Sequence, residues 1–142
     1  MSLYSVVVPV YNSEHTLTEL YTRLEKVFRE TVQEPFELIL VDDGSKDRSY
    51  QIMEELRQKD PRVKIIQMAR NFGQHPALLC GFSHAEGDFI ITMDDDLQHP
   101  PETLVEMYRL WEQGYQVIEG VKSSRGKEGF LHKKCAGFFN FM

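Results

Sequence analysis

Phe89-Ile90-Ile91-Thr92-Met93-Asp94-Asp95-Asp96-Leu97-Gln98-His99-Pro100-Pro101-Glu102 decides how the chain is read: a short apolar run passes directly into three consecutive carboxylates. The apolar part has the length of a buried strand, and Pro100-Pro101 opens a helix reaching Trp111. Three like charges at a strand end repel unless something positive sits there, and a divalent cation is the natural partner. If the backbone stays extended through the triplet, Asp94, Asp96 and Gln98 project to one side and Asp95 to the other. Two carboxylates and an amide oxygen suit Mg²⁺ or Mn²⁺. A solvated acidic turn capping the helix near Pro101 would account for one acid better than for three.

The segments around this stretch repeat a strand-then-helix rhythm. Leu3 to Val10 reads as a strand, followed by Leu17, Leu20, Leu24, Val27 and Phe28 at helical spacing. Phe36 to Val41 is a second strand, Asp42-Asp43-Gly44-Ser45 a turn, and Asp47 to Lys59 a helix with Ser45 as its N-cap. Val63 to Met68 is a third strand and Pro76 to Ala85 a third helix. Asp88 to Met93 is the fourth strand, and Gln116 to Val121 is expected as a fifth. Such alternation predicts an α/β, Rossmann-like, mainly parallel sheet with helices on both faces.

Ligands of such sheets bind beyond the carboxyl ends of the strands, and the polar clusters fall there. They are Tyr11-Asn12-Ser13-Glu14, Asp42-Asp43, Arg70-Asn71-Phe72-Gly73 and the Asp triplet. A carboxylate at the position of Asp43 can accept from a base N–H, although Asp, Gly and Ser also simply favour turns. Arg70 either pairs with these acids or neutralises a diphosphate. Asp95 either caps a helix or meets the nucleotide through its backbone.

With 142 residues, 42% hydrophobic and 27% charged, the composition is that of one globular domain, neither disordered nor fibrous. No apolar run approaches the roughly 20 residues that span a bilayer, so the chain as given is expected to be soluble. Cys80 and Cys135 have no metal or redox spacing and read as reduced thiols. The net charge of −6 divides unevenly. Residues 1–121 hold 11 basic and 21 acidic residues, or −10, whereas 122–142 hold five basic and one acidic, or +4. Residues 1–121 are therefore read as one body, different in kind from the tail. Residues 122–142 are expected as a basic loop leading into an amphipathic or interfacial helix. No nucleic-acid partner is expected, and self-association into a homo-oligomer is left open.

Gly120 to Lys127 invites comparison with a P-loop and fails it: five residues separate the glycines where four are required, and Glu128 stands where Ser or Thr is needed. A basic loop remains, whose Arg125 either lies in solvent or closes over phosphates. A signalling receiver domain fails as well, since strand one ends in Tyr11-Asn12 rather than an acidic pair.

Val8-Pro9-Val10-Tyr11-Asn12-Ser13-Glu14, Val41-Asp42-Asp43-Gly44-Ser45, Arg70-Asn71-Phe72-Gly73-Gln74-His75 and Asp94 to Glu102 occur in the order of a known family. The chain resembles family 2 glycosyltransferases of the GT-A fold, in the branch that loads sugars onto polyprenyl phosphates. The resemblance implies that residues 1–121 form a nucleotide-sugar-binding GT-A core in which Pro9, Tyr11, Asn12, Glu14 and Asp43 line the nucleoside pocket. From their own positions at strand ends, Arg70 and Asp95 are expected to touch the nucleotide as well. It implies that Asp94, Asp96 and Gln98 serve metal and diphosphate, and that Arg125 meets a donor or acceptor phosphate. An inverting transfer from a UDP-sugar, with a GDP-sugar second, to a polyprenyl phosphate in cell-envelope glycan synthesis is the expected activity. A binding fragment without turnover and a family 2 transferase with a saccharide acceptor are the alternatives. Members of the branch usually continue into further elements. A longer, membrane-associated protein acting on the cytoplasmic side is therefore expected, with this piece alone impaired in transfer. Two departures stand out: Asp95 fills a position that is often Ala, and His132, Lys133, Lys134 and Ala136 stand where Arg and Ser are usual.

Overall fold

The structure, a computed structural model, describes residues 1–120. It comprises a compact unit over Met1–Glu102 and a second that begins at Thr103. The first unit alternates strand and helix: β1 (Tyr4–Val10), α1 (Leu17–Val27), β2 (Phe36–Asp42), α2 (Ser49–Lys59), β3 (Val63–Gln67), α3 (Gln74–Ser83) and β4 (Phe89–Thr92). A π-helical turn, Phe28–Val32, continues α1 and closes on Gln33, whose N–H meets Phe28 O at 2.7 Å. The four strands are all parallel, in the order β3-β2-β1-β4.

Every residue of β1 and of β2 is buried, as expected of central strands covered on both faces. On one face Val7, Ile39 and Val41 form a core with Ala77 of α3. Gly81 lets that helix approach closely, because a Cβ there would run into the Val7 side chain. Tyr4 faces the other way and meets the Phe28 ring at 5.9 Å, while Phe28 stacks on Phe36 at 4.4 Å. The helices before and after β2 lie on that second face: α1 buries Leu17, Leu20, Leu24 and Val27, and α2 buries Met53 and Leu56. At about 25 cal/mol per Å² of apolar surface, these side chains supply most of what holds the layers together.

Ionic and aromatic contacts fasten the middle of α1 to the turn that enters β3. Tyr21 donates from its hydroxyl to Asp60 Oδ2 at 2.8 Å, Arg62 Nη2 meets the same oxygen at 2.7 Å, and the Arg62 guanidinium lies 4.5 Å from the Phe36 ring centre. The second unit contains α4 (Leu104–Glu112), entered by a 3₁₀ turn over Pro101–Thr103. Gly114, at φ 97, ends α4 by donating to Trp111 O at 2.8 Å.

Three local expectations need correction. Gln116 to Gly120 forms no strand, and only Glu119 makes an isolated bridge; Val121 lies outside the described residues. An apolar pair such as Val117-Ile118 becomes a strand only when a neighbour pairs along it, and Val117 is 63% exposed. α2 begins at Ser49 rather than Asp47, and Ser45 is not its cap: Asp47 Oδ1 accepts from Ser49 N–H at 2.9 Å instead. α3 begins at Gln74, which puts Pro76 in its first turn, where a missing N–H costs nothing. Among the described residues no helix is long and apolar enough to cross a membrane.

Candidate active site

The chain runs from β1 outward through β2 to β3 and then crosses to β4 on the other side of β1. That reversal opens a crevice beyond the carboxyl ends of β1 and β4, the usual ligand position in such sheets. Its inner edge follows from one residue. Met93 N–H donates to Val7 O at 3.2 Å, and Pro9, the next β1 residue facing β4, has no N–H to continue the ladder. β4 therefore leaves β1 just before the acid triplet.

The four polar clusters lie on this rim, and hydrogen bonds tie them into a closed ring. Asn12, left-handed at φ 50, donates its N–H to Ser45 Oγ at 3.0 Å and accepts Lys46 N–H on its Oδ1 at 2.8 Å. Ser13 N–H donates to Ser49 Oγ at 2.7 Å, and Glu14 Oε2 accepts from Arg48 N–H at 3.1 Å. Asp43, 4% exposed, accepts from Phe72 N–H at 2.8 Å and Gly73 N–H at 3.0 Å. Gly44, at φ +76, lies so close to the Arg70-Asn71 backbone that a Cβ would be 2.6 Å from Asn71 N. Gln74 Nε2 donates to Asp94 Oδ1 at 3.1 Å. The ring closes where Asp95 Oδ2 accepts from Tyr11 N–H at 2.9 Å and from the Ser13 hydroxyl.

Beside the ends of β2 and β3, one part of this ring borders an open cleft of about 560 Å³. Tyr11, Lys46 and Arg70 are among the residues that line it, and each is exposed. The Arg70 guanidinium lies 4.7 Å from the Phe72 ring centre and forms no ion pair among the described residues, so its charge is available to an anion. Asp42 also borders the cleft, but its Oδ1 is occupied by Ser45 N–H at 3.1 Å. Tyr11, Arg70 and the Asp43 loop thus come together. Pro9 is buried within β1 and is not part of the cleft wall, and Asn12 and Glu14 spend side-chain oxygens on the neighbouring loop.

Strand alternation holds through Asp95 and then stops. Asp94 points to the α3 side, where Gln74 meets it, and Asp95 to the opposite side. From Asp95 to His99 the chain bends, with Leu97 left-handed at φ 60, so Asp96 and Gln98 are not in extended phase with Asp94. The premise that grouped Gln98 with the two acids is therefore corrected, although its N–H does donate to Asp96 Oδ1 at 3.0 Å. Among the described residues no three His, Cys, Asp or Glu side chains are gathered to hold a metal. Asp94 and Asp96 nevertheless keep one oxygen each without a hydrogen bond among the described residues. That donor set fits a hard cation whose other positions go to water and to substrate phosphates. Arg125 lies outside the described residues.

Sequence reasoning quoted Ser13 and Gln74 within motifs without giving either a role, and passed over Ser49 and Thr16, whose Oγ1 donates to Asp95 O at 2.5 Å. Their shared signal is position: each is a small or amide side chain in the segment between a strand's carboxyl end and the first turn of the next helix.

The family description "Glycosyl transferase family 2" matches residues 5–138. The chain belongs to this family. Over 136 residues it is 47% identical to the "Uncharacterized glycosyltransferase YkcC" of Bacillus subtilis (strain 168), covering 96% of this chain and 42% of that protein. Over 139 residues it is 42% identical to the undecaprenyl-phosphate 4-deoxy-4-formamido-L-arabinose transferase of Proteus mirabilis (strain HI4320), covering 97% of this chain and 42% of that one. The chain thus spans less than half the length of these relatives. Among solved structures, S. aureus TarS 1-349 in complex with UDP is 30% identical with a TM-score of 0.63, covering 91% of this chain and 38% of that chain. The mannosyltransferase PcManGT from Pyrobaculum calidifontis, solved with GDP-Man and Mn²⁺, shares the fold at 22% identity and a TM-score of 0.61, over 72% of this chain and 30% of that chain. The family 2 chain described here has the GT-A fold of these transferases.

Proposed function

We propose that the complete protein transfers a sugar from a nucleoside-diphosphate donor to a polyprenyl phosphate, with inversion at the anomeric carbon. One observation carries the reading: Tyr11 lines a cleft that also bears Lys46 and Arg70, and its N–H is held by the acid triplet. A polar cleft with two basic side chains thus adjoins a carboxylate loop on the ligand-binding rim of a family 2 chain. A uridine donor is favoured, because TarS binds UDP at 30% identity, with guanosine second. The lipid acceptor is supported by the name of the Proteus relative. Such an acceptor places the complete protein at a membrane, with its donor site on the cytoplasmic side.

Asp94 and Asp96 would hold Mg²⁺ or Mn²⁺, which offsets the charge that develops on the leaving diphosphate. Tyr11 and the Asp43-anchored loop position the nucleoside, and Arg70 meets the diphosphate. A phosphate monoester acceptor has a second pKa of about 6 and is mostly ionised at neutral pH, so the site needs no strong general base.

Calorimetric titration with UDP and GDP, with and without Mn²⁺, tests the donor site. UDP is expected to bind more tightly with Mn²⁺, and Asp96→Ala to abolish that gain. Absence of nucleotide binding, or an unchanged gain in Asp96→Ala, would overturn the reading. Transfer of labelled sugar to undecaprenyl phosphate in vesicles, using the complete protein, separates the enzyme from a mere binding module.

A further inference from the structure

We propose that Asp95, the member of the triplet whose side chain points away from Asp94, is a positioning residue that locks the acid loop to the turn between β1 and α1. The inference rests on the donor-site reading above.

Three bonds converge on this residue. Its Oδ2 accepts from Tyr11 N–H at 2.9 Å and from the Ser13 hydroxyl, and its carbonyl accepts from Thr16 Oγ1 at 2.5 Å. Thr16 is the N-cap residue of α1, and Arg23, nearly two turns along the same helix, grips Glu102 in a bidentate pair with Nε–Oε1 at 2.8 Å and Nη2–Oε2 at 2.6 Å. The acid loop is therefore fastened to one helix at both ends.

Between those anchors Leu97 sits at φ 60, a conformation unfavourable for a branched side chain that persists only where the surroundings over-determine it. The bends at Asp95 and Asp96 set where Asp96 points relative to Asp94, and the left-handed turn at Leu97 sets where Gln98 follows. The Tyr11 N–H bond adds a second coupling, since Tyr11 lines the cleft. Holding one carboxylate oxygen between Tyr11 and Ser13 thus fixes the nucleoside wall and the metal-facing acids as one body.

Asp95→Ala removes the side-chain acceptor, whereas Asp95→Asn retains an oxygen that can take both donors and loses only the charge. The gain in UDP affinity on adding Mn²⁺ is expected to fall about tenfold in Asp95→Ala and to stay within about twofold of wild type in Asp95→Asn. Thr16→Val is expected to lower it in the same direction by less. Equal loss in Asn and Ala would show that the charge itself meets metal or ligand and would overturn the proposal. So would a lowered melting temperature in Asp95→Ala with the Mn²⁺-dependent gain intact, which is the signature of a purely structural role.

If wild type binds neither UDP nor GDP under any condition, the donor reading fails, and amide exchange in the ligand-free protein decides the lock. Tyr11 N–H is then expected to exchange faster in Asp95→Ala and as in wild type in Asp95→Asn. Unchanged exchange in Asp95→Ala would refute the lock independently.

Discussion

Asp43→Ala separates the two roles open to this carboxylate, a contact to the base and a clasp on the loop between β3 and α3. Its oxygens accept from Phe72 N–H at 2.8 Å and Gly73 N–H at 3.0 Å, in a residue only 4% exposed. A hydrogen bond to an ionised group contributes about 1.5 kcal/mol at the low end, so the pair contributes about 3 kcal/mol. Part of this returns on mutation, because Phe72 is 45% exposed and the freed amides of its loop can reach water. The net expectation is a loss of about 2 kcal/mol. In a chain of this length that lowers the melting temperature by roughly 6–8 °C. Asp43→Asn is expected to fall nearly as far, since its Nδ2 would face one of the two N–H donors. The assay is a urea midpoint by far-UV circular dichroism, alongside UDP titration. Stability within about 0.5 kcal/mol of wild type combined with weakened UDP binding would refute the clasp and leave Asp43 as a base contact.

Gly44→Ala is expected to cost about 2 kcal/mol or more and to weaken UDP binding, because the new Cβ would lie 2.6 Å from Asn71 N and 2.9 Å from the Arg70 carbonyl carbon at φ +76; urea midpoints and titration check both. Acid stability is expected to depend on Asp60, whose carboxyl is held down at about 2 by hydrogen bonds from the Arg62 guanidinium, working against burial, with the Arg62 N–H and the Tyr21 hydroxyl assisting. A carboxyl lowered in the folded state stabilises above its unfolded pKa, and that contribution is lost as pH falls through the folded one. The window therefore runs from about pH 4 down to about pH 2. With Arg62 43% exposed, solvent screening reduces the effect to about 1–2 kcal/mol. Urea midpoints measured between about pH 5 and pH 2 should show the gap between wild type and Asp60→Asn closing across that window; a constant gap would sink the assignment.

The sheet was legible because β1 and β2 are built on short β-branched and apolar runs, Val6-Val7-Val8 and Leu38-Ile39-Leu40-Val41, that alternate along the chain with helical spacing, and the strand ends announced themselves as polar clusters. Strand phase also assigned Asp95 correctly to the side away from Asp94. Phase could not carry further, since it holds only while the backbone is extended, and the left-handed Leu97 is a conformation its own side chain disfavours. The fifth strand failed for a related reason: pairing, not residue identity, makes Val117-Ile118 a strand. The ring of loops was hidden by the nature of its donors. Tyr11, Phe72, Gly73, Lys46 and Arg48 all give their backbone N–H, a group that every residue but proline has. Sequence therefore names the acceptors, Asp95, Asp43, Asn12 and Glu14, while saying nothing of what they hold. The same four acceptors belong to the motifs from which nucleotide contacts are inferred. A motif acid in this rim thus has to be tested for what it braces as well as for what it binds.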